Sequence, residues 1–200
     1  MMTLTSSHDY EIYEVNDVTA DAGKGNDTII ISGNDGSIYG NAGNDVISIG
    51  GAATNVTIEG GKGNDILYTN GEGSDTVMNY GDGIAIDLGV GNDMVINYGV
   101  GYSILGGKGN DRIYTTGIDG TISGDAGNDT IRLDDTAENT IIEYRVGDGK
   151  DVIVGFDDND SIYVDGTINK SVQSGNNVIL SIGKGNISII AVTMFISVAA

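Results

Sequence analysis

Eight aspartates recur along the chain, and each directly follows a short segment rich in glycine. The stretch GGKGNDRIY at residues 106–114 is representative, since three glycines precede Asp111. A carboxylate beside the free carbonyls of a glycine turn presents only hard oxygen ligands. Such ligands suit calcium, which takes roughly six to eight oxygens in loose geometry, far better than zinc or copper. The eight residues are Asp27, Asp45, Asp65, Asp75, Asp93, Asp111, Asp129 and Asp151.

The spacing of these aspartates defines a repeat. Successive members lie 18, 20, 10, 18, 18, 18 and 22 residues apart, and an aliphatic residue follows each Asp by two positions. About nine residues further on a second aliphatic residue tends to follow, such as Ile122 after Ile113. Each half of the period reads as a short alternating strand and a glycine turn, with no helical spacing. We therefore predict an all-β fold, a right-handed parallel β-roll solenoid of 18 residues per turn with a small C-terminal β cap.

The charge of the chain gives the aspartates a physical role. Asp and Glu number 29 against 9 Lys and Arg, for a formal net charge of −20. Carboxylates stacked about 4.8 Å apart repel by about 1 kcal/mol in water and about 3.5 kcal/mol at an effective dielectric of 20. Divalent ions between the turns reverse that sign, so we predict that calcium drives folding. Asn-Asp and Gly-Asp are also turn formers, an alternative that fits one copy better than eight. The acidity disfavours nucleic acid and anionic membranes as partners.

Other kinds of site find little support in the sequence. The chain has no cysteine, and its single histidine, His8, lies near the N-terminus. The GKG triplets lack the rest of a phosphate loop, and the segment at 157–162 has Ile162 where a calcium-binding helix–loop–helix needs glycine. We predict no catalytic residues, no organic cofactor and no enzymatic activity. The N-terminus lacks a basic and apolar signal, and residues 187–200 are too short and interrupted to span a bilayer, so no membrane insertion is expected.

Two segments carry a family resemblance. GGKGNDILY at 60–68 and GGKGNDRIY at 106–114 reproduce the nonapeptide G-G-x-G-x-D-x-U-x in full. Over about residues 22–165 the chain therefore resembles the RTX, or hemolysin-type, calcium-binding repeat proteins. The resemblance implies a β-roll with calcium between its turns and export by type I secretion machinery with an uncleaved C-terminal signal. It also implies a chain that stays unfolded at low cytosolic calcium and folds after secretion.

The expected metal ligands are the eight aspartates and glycines of the same turns. Most alternate half-turns lack the Asp, so only one edge of the roll is expected to carry a full site at any level. The step of 10 from Asp65 to Asp75 indicates that the motif changes edge there. Two intervals on one edge and three on the other predict about five calcium ions, and the step of 22 leaves Asp151 aside. The predicted glycines are Gly23, Gly25, Gly61, Gly63, Gly71, Gly73, Gly89, Gly91, Gly107, Gly109 and Gly127.

Three regions are predicted, an N-terminal capping segment at 1–21, the calcium-binding roll at 22–154 and a C-terminal β cap with a possible secretion signal at 155–200. The expected function is calcium binding by a secreted bacterial module that acts as a folding trigger, spacer or scaffold. Two alternatives stay open. One is the non-catalytic C-terminal module of a larger secreted protease, lipase or epimerase. The other is a calcium-dependent adhesin that binds carbohydrate; ice binding ranks below both because a regular exposed Thr ladder is missing.

Overall fold

The computed structural model describes residues 2–3, 9–14, 16–50, 53, 55–69, 73–166, 168–174, 177–182 and 185–191. Within these ranges the regular structure is entirely β, in short strands that glycine-rich turns connect. The strands are β1 (Met2–Thr3), β2 (Tyr10–Tyr13), β3 (Thr19–Asp21), β4 (Thr28–Ile31), β5 (Ser37–Tyr39), β6 (Val46–Ile49), β7 (Thr57–Glu59), β8 (Ile66–Thr69), β9 (Thr76–Asn79), β10 (Ala85–Asp87), β11 (Met94–Asn97), β12 (Ser103–Leu105), β13 (Arg112–Thr115), β14 (Thr121–Ser123), β15 (Thr130–Leu133), β16 (Ile141–Arg145), β17 (Lys150–Phe156), β18 (Ser161–Asp165), β19 (Ile168–Ser174), β20 (Asn177–Ile182) and β21 (Gly185–Ala191).

Successive strands alternate between two sheets, one of 12 strands and one of nine. Odd-numbered strands up to β17 build the larger sheet and even-numbered strands up to β18 build the smaller one. Each strand pairs in parallel with the strand one full turn later, as Ile113 of β13 does with Ile131 of β15. The result is a parallel solenoid of about eight turns with roughly 18 residues per turn. The all-β solenoid that the repeat predicts is confirmed.

The core consists of two aliphatic ladders, one from each sheet. In the nine-stranded sheet Ile29, Ile47 and Leu67 occupy one register position, and all three are fully buried. In the larger sheet Val77, Val95 and their successors do the same. The alternate positions of each strand face outward and carry polar, charged or half-exposed residues, because successive side chains of a strand point to opposite faces. Each turn buries its apolar residues only against its neighbours, the arrangement of a solenoid.

The irregular steps of the repeat have local explanations. Between Asp45 and Asp65, seven residues separate the end of β6 from the start of β7, whereas five separate β4 from β5. Between Asp129 and Asp151 the extra residues lie in a longer turn at 134–140 and in the longer strand β16. The insertions therefore leave the parallel register of the flanking strands intact.

Both ends of the chain extend the sheets. Strand β2 pairs in parallel with β4, and β3 pairs in parallel with β5. At the other end β17 pairs in parallel with β21, after which β20 and β19 add antiparallel neighbours. This change from parallel to antiparallel pairing marks the C-terminal cap of the fold. The three predicted region boundaries remain predictions. In the described part of the chain, no helix has the length and hydrophobicity needed to cross a membrane.

Candidate metal centre

The turns of the solenoid form two edges. We call the turns that lead from the 12-stranded to the nine-stranded sheet the first edge, and those that lead back the second edge. Asp27, Asp45 and Asp65 each end a first-edge turn, immediately before strands β4, β6 and β8. Asp75 instead precedes β9 and so lies on the second edge. The chain crosses only one strand between Asp65 and Asp75, which explains the step of 10.

A hydrogen-bonded ladder links the aspartates of the first edge. The backbone amide of Asp27 donates to Oδ1 of Asp45 at 2.8 Å, and the amide of Asp45 donates to Oδ1 of Asp65 at 2.9 Å. The amide of Asp9 donates in the same way to Oδ1 of Asp27 at 2.8 Å. Each carboxylate thus uses one oxygen to reach the turn before it.

The second edge repeats this arrangement over more turns. The amide of Asp75 donates to Oδ1 of Asp93 at 2.7 Å, and the same bond joins Asp93 to Asp111 at 2.8 Å. It continues from Asp111 to Asp129 at 2.8 Å, and from Asp129 to Asp151 at 2.9 Å. The amide of Val56 begins this ladder by donating to Oδ1 of Asp75 at 3.0 Å. Asp151, which the spacing left aside, therefore continues the second-edge ladder.

In seven of the eight aspartates the other carboxylate oxygen is buried and has no hydrogen-bond partner. All eight aspartates are at most 4% exposed. An unpartnered buried carboxylate oxygen is costly, because it has lost water without gaining a donor. A cation at each such oxygen removes that cost, so the donor set fits a hard divalent ion. The unpartnered atoms are Oδ2 of Asp27, Asp45, Asp65, Asp75, Asp93, Asp111 and Asp129.

The number of carboxylates limits the type of site. In the described residues no three or more side chains of His, Cys, Asp or Glu converge as a metal-binding group. A site between two turns can therefore draw on the ladder carboxylates and must complete its shell from backbone carbonyls. Such a shell of oxygens without imidazole or thiolate again fits calcium rather than zinc.

Glycine backbones line the space around these carboxylates. A Cβ added to Gly109 would overlap the carbonyl oxygen of Gly91, and one added to Gly43 would overlap that of Gly25. Both Gly109 and Gly43 also have positive φ, 139° and 148°. The first glycine of the motif is equally confined, since a Cβ on Gly106 would lie 2.8 Å from Oδ2 of Asp111. Glycine is therefore required where carbonyls and carboxylates crowd along each edge.

Burial raises the pKa values of most of the aspartates in the two ladders. Burial raises the pKa of Asp93 to about 7; the hydrogen bond from the amide of Asp75 lowers it, and the carboxylates of Asp111 and Asp75 raise it. Burial likewise raises the pKa of Asp129 to about 8, with neighbouring carboxylates adding to the effect. The pKa values of Asp45, Asp75, Asp111 and Asp151 rise to about 6, and that of Asp65 rises as well, all chiefly through burial. Without a cation, the stacked carboxyl groups therefore resist ionisation.

Where the first edge lacks aspartates, neutral side chains form its inner ladder. Nδ2 of Asn79 donates to Oδ1 of Asn97 at 2.7 Å, and Nδ2 of Asn97 donates to Oγ1 of Thr115 at 3.1 Å. Asn79 also accepts from the amide of Gly81 at 3.0 Å and donates to the carbonyl of the same glycine at 2.7 Å. A side-chain amide both donates and accepts, so the buried hydrogen-bonding groups in this part of the first edge are satisfied without a charged residue.

The predicted ligands lie on both edges. The structure places Asp27, Asp45 and Asp65 on the first edge and the other five aspartates on the second; Gly71 lies outside the described residues. The glycines on the first edge are Gly23, Gly25, Gly61 and Gly63, and those on the second are Gly73, Gly89, Gly91, Gly107, Gly109 and Gly127. Their role as ligands remains a prediction.

Sequence reasoning missed two glycines in the same columns. Gly43 and Gly149 each stand two residues before a ladder aspartate, and each backbone lies against the carbonyl of the glycine one turn earlier. The signal that finds both is their position two residues before the aspartate; Gly149 also completes a G-x-G pattern with Gly147, whereas Asn41 stands at that place before Gly43. Acids off this register have other partners, since Oδ1 of Asp119 accepts from Nδ2 of Asn139 at 3.0 Å. In the 157–162 segment, the amide of Asp157 donates to Oδ2 of Asp160 at 3.1 Å, which makes a turn between β17 and β18.

Comparison with known proteins decides the family. The model of the RTX calcium-binding nonapeptide repeat matches in four copies, at residues 49–77, 103–131, 114–136 and 144–168. The chain is an RTX repeat protein. These matches include aspartates of both edges, and the RTX repeat is a calcium-binding and non-catalytic element. Calcium is thus the ion that the RTX motif and the oxygen-only donor set indicate together.

The remaining comparisons are with curated proteins and with solved structures. No curated protein matches this RTX chain. Among solved structures, the crystal structure of the extracellular lipase LipA from Serratia marcescens is similar with a TM-score of 0.42 at 17% sequence identity. The similarity covers 88% of this chain and 38% of the lipase chain. This RTX chain therefore spans well under half of the length of that lipase.

Proposed function

We propose that the chain binds calcium ions in two columns, one along each edge, and that this binding drives the folding of the roll. The observation that carries the proposal is the row of buried Oδ2 atoms without a partner. Each belongs to a carboxylate whose Oδ1 atom already links two successive turns. An ion at these oxygens would remove both the desolvation cost and the repulsion between stacked acids.

The ladders suggest how many ions the roll takes up. One ion between each two successive ladder aspartates gives two on the first edge, from Asp27 to Asp65. The second edge takes four, from Asp75 to Asp151, because the amide of Asp129 bonds to Asp151. The proposal therefore raises the expected stoichiometry from about five to about six. Six divalent ions would offset a little more than half of the formal charge of −20.

The place where the chain folds, outside the cell, follows from the same energetics. At low calcium the ladder carboxyls and the 33 glycines oppose folding, since glycine loses more conformational entropy than any other residue. We propose that the chain passes through type I secretion machinery unfolded and folds where calcium is plentiful. The described residues then serve as a folding trigger or scaffold and supply no catalysis. Deletion of residues 155–200 should abolish export by a type I system while a retained roll still binds calcium.

Calcium titration tests the central proposal. Far-UV circular dichroism of the chelated protein should show little β-structure, and calcium should restore it cooperatively with about six ions bound by equilibrium dialysis. Magnesium, which demands a tight octahedral shell, should not substitute. A chelated sample already rich in β-structure, and unchanged by calcium, would reject the proposal.

A matched pair of variants tests the ladder itself. Asp111→Asn keeps an oxygen for the amide of Asp93 but removes the charge that two neighbouring ions share. It should reduce the number of bound ions by one or two, whereas Asp119→Asn, an exposed acid on the other edge, should leave the number unchanged. Equal loss in both variants would point to total charge rather than to the ladder.

A further inference from the structure

We propose that a groove along the first edge binds a neutral, linear oligosaccharide. The groove is a largely open depression with a volume of about 740 Å³. The proposal depends on the proposed function in one respect, since calcium is what keeps these turns stacked. The side chains that the argument uses are Asp21, Lys24, Asn41, Glu59, Lys62 and Tyr80.

The shape of the groove follows from the solenoid. Its lining comes from four successive turns, so it runs along the roll axis and not across it. Lys24 and Lys62 both pair in parallel with Ala42, one from each side. Two steps at the strand spacing of about 4.8 Å place their backbones about 10 Å apart. An elongated groove of this kind suits a chain-like ligand better than a compact one.

An aromatic face closes one end of the groove. The ring of Tyr80 stacks on that of Tyr98, with centroids 4.9 Å apart and an interplanar angle of 4°. Tyr98 belongs to the following turn and covers one face of the Tyr80 ring, and Tyr80 lines the groove together with Glu59 and Lys62 of the preceding turn. Tyr80 is 51% exposed although its stacking partner already shields it. The electron-rich face of a rigid ring attracts the C–H groups of a sugar ring.

The polar lining provides both donors and acceptors. Lys24, Lys62 and Asn41 donate, while Asp21 and Glu59 accept. Nδ2 of Asn41 donates to Oδ1 of Asp21 at 2.8 Å, which orients both side chains. In the described residues the ion pairs within 4 Å all involve Arg145, so neither lysine is engaged by a carboxylate at that distance. Hydroxyl groups, which donate and accept at once, match such a mixed lining.

Charge selects a neutral ligand. The two ammonium groups and two carboxylates of the lining cancel, on a chain whose formal net charge is −20. A polyanion would meet repulsion from the rest of the surface, and a polycation would be drawn to the more acidic surface elsewhere. Local neutrality together with an aromatic face therefore favours an uncharged saccharide.

Binding of cellohexaose and maltohexaose to the calcium-loaded protein, measured by isothermal titration calorimetry, tests the proposal. At least one should bind, and Tyr80→Ala should weaken that binding about tenfold. Tyr163→Ala, which removes a 62% exposed tyrosine from the other sheet, should have no effect. Lys62→Ala should also weaken binding, by about threefold to tenfold.

The outcomes separate this inference from calcium-driven folding. Circular dichroism of each sample shows whether the roll has formed. A folded, calcium-loaded protein that binds neither hexasaccharide overturns the inference and leaves the proposed function intact. Binding of an oligogalacturonate in place of both neutral probes, or equal losses in the Tyr80→Ala and Tyr163→Ala variants, also overturns it. A chain that does not fold with calcium contradicts the proposed function instead.

Discussion

The backbone amide of Asp111 donates a hydrogen bond of 2.8 Å to Oδ1 of Asp129, which lies 18 residues later and one turn further along the roll. The same carboxylate keeps its Oδ2 atom buried and without a hydrogen-bond partner. One side chain therefore joins two turns and also offers a charged oxygen to an ion. This double use explains why the spacing of the aspartates matches the period of the fold.

The stability of the calcium-free roll should fall as the pH rises. The folded pKa of Asp93 is about 7 and that of Asp129 about 8, against an ordinary value of 3.8. A raised folded pKa means that the folded chain holds protons more tightly than the unfolded chain. The resulting stabilisation is complete below about pH 4 and is lost as the pH passes through about 7 to 8. Because the chelated chain is expected to be largely unfolded at neutral pH, far-UV circular dichroism in chelator should show more β-structure at pH 5.5 than at pH 8.5.

Asp129→Asn provides the control for that pH dependence, because asparagine does not titrate. Its content of β-structure in chelator should vary less between pH 6 and 8 than that of the parent chain. Calcium affinity should show the opposite trend and increase with pH, since the ion must displace protons from the ladder. More β-structure in the chelated parent at pH 8.5 than at pH 5.5 would contradict the raised pKa values.

Gly109→Ala should destabilise the calcium-bound roll by at least about 2 kcal/mol. Its new methyl group would overlap the carbonyl oxygen of Gly91, and its φ of 139° is unfavourable for alanine. Gly147→Ala is the matched comparison, because Gly147 also has a positive φ, 113°, but nothing lies within 4 Å of its added Cβ. Thermal unfolding in calcium should show a larger loss of stability for Gly109→Ala than for Gly147→Ala. Similar losses would mean that positive φ alone, and not the overlap with Gly91, causes the destabilisation.

Asn97→Ala should cost about 2 to 3 kcal/mol without changing the number of bound calcium ions. The substitution leaves Nδ2 of Asn79 and Oγ1 of Thr115 without their partner in a buried ladder. Denaturant unfolding in calcium measures the cost, and equilibrium dialysis counts the ions. A reduced count would show that this neutral ladder takes part in metal binding.

Ile113→Ala should destabilise the roll by about 2 to 5 kcal/mol. Ile113 is 1% exposed and lies between Val95 and Ile131 in the ladder of the 12-stranded sheet. The exposed Ile141, at 43%, gives the control, and Ile141→Ala should cost less than about 1 kcal/mol. Chemical unfolding of both variants in calcium measures the difference, and equal effects would place the core elsewhere.

Much of the fold is readable from the sequence because the repeat is local. The aspartate and the aliphatic residue two positions later, such as Asp111 and Ile113, fix the turn and the inward face of the next strand together. The 10-residue step after Asp65 also indicates the change of edge, since half a period leads to the opposite side. Local spacing of this kind depends on strand geometry and requires no knowledge of distant contacts.

What the sequence does not show depends on contacts between turns. The step of 22 obscures the link from Asp129 to Asp151, because the extra residues lie in a turn and a longer strand that preserve the register. The ladder from Asn79 to Asn97 follows no motif that single-turn reading detects. The stacking of Tyr80 on Tyr98 likewise appears only once successive turns lie side by side.

The change of edge between Asp65 and Asp75 divides what would otherwise be a single file of eight like charges into files of three and five. No carboxyl group belongs to both files, so filling one file with ions transmits nothing to the other through a common ligand. The roll therefore carries two consecutive ion columns on opposite edges, and each column can fill cooperatively at its own calcium concentration.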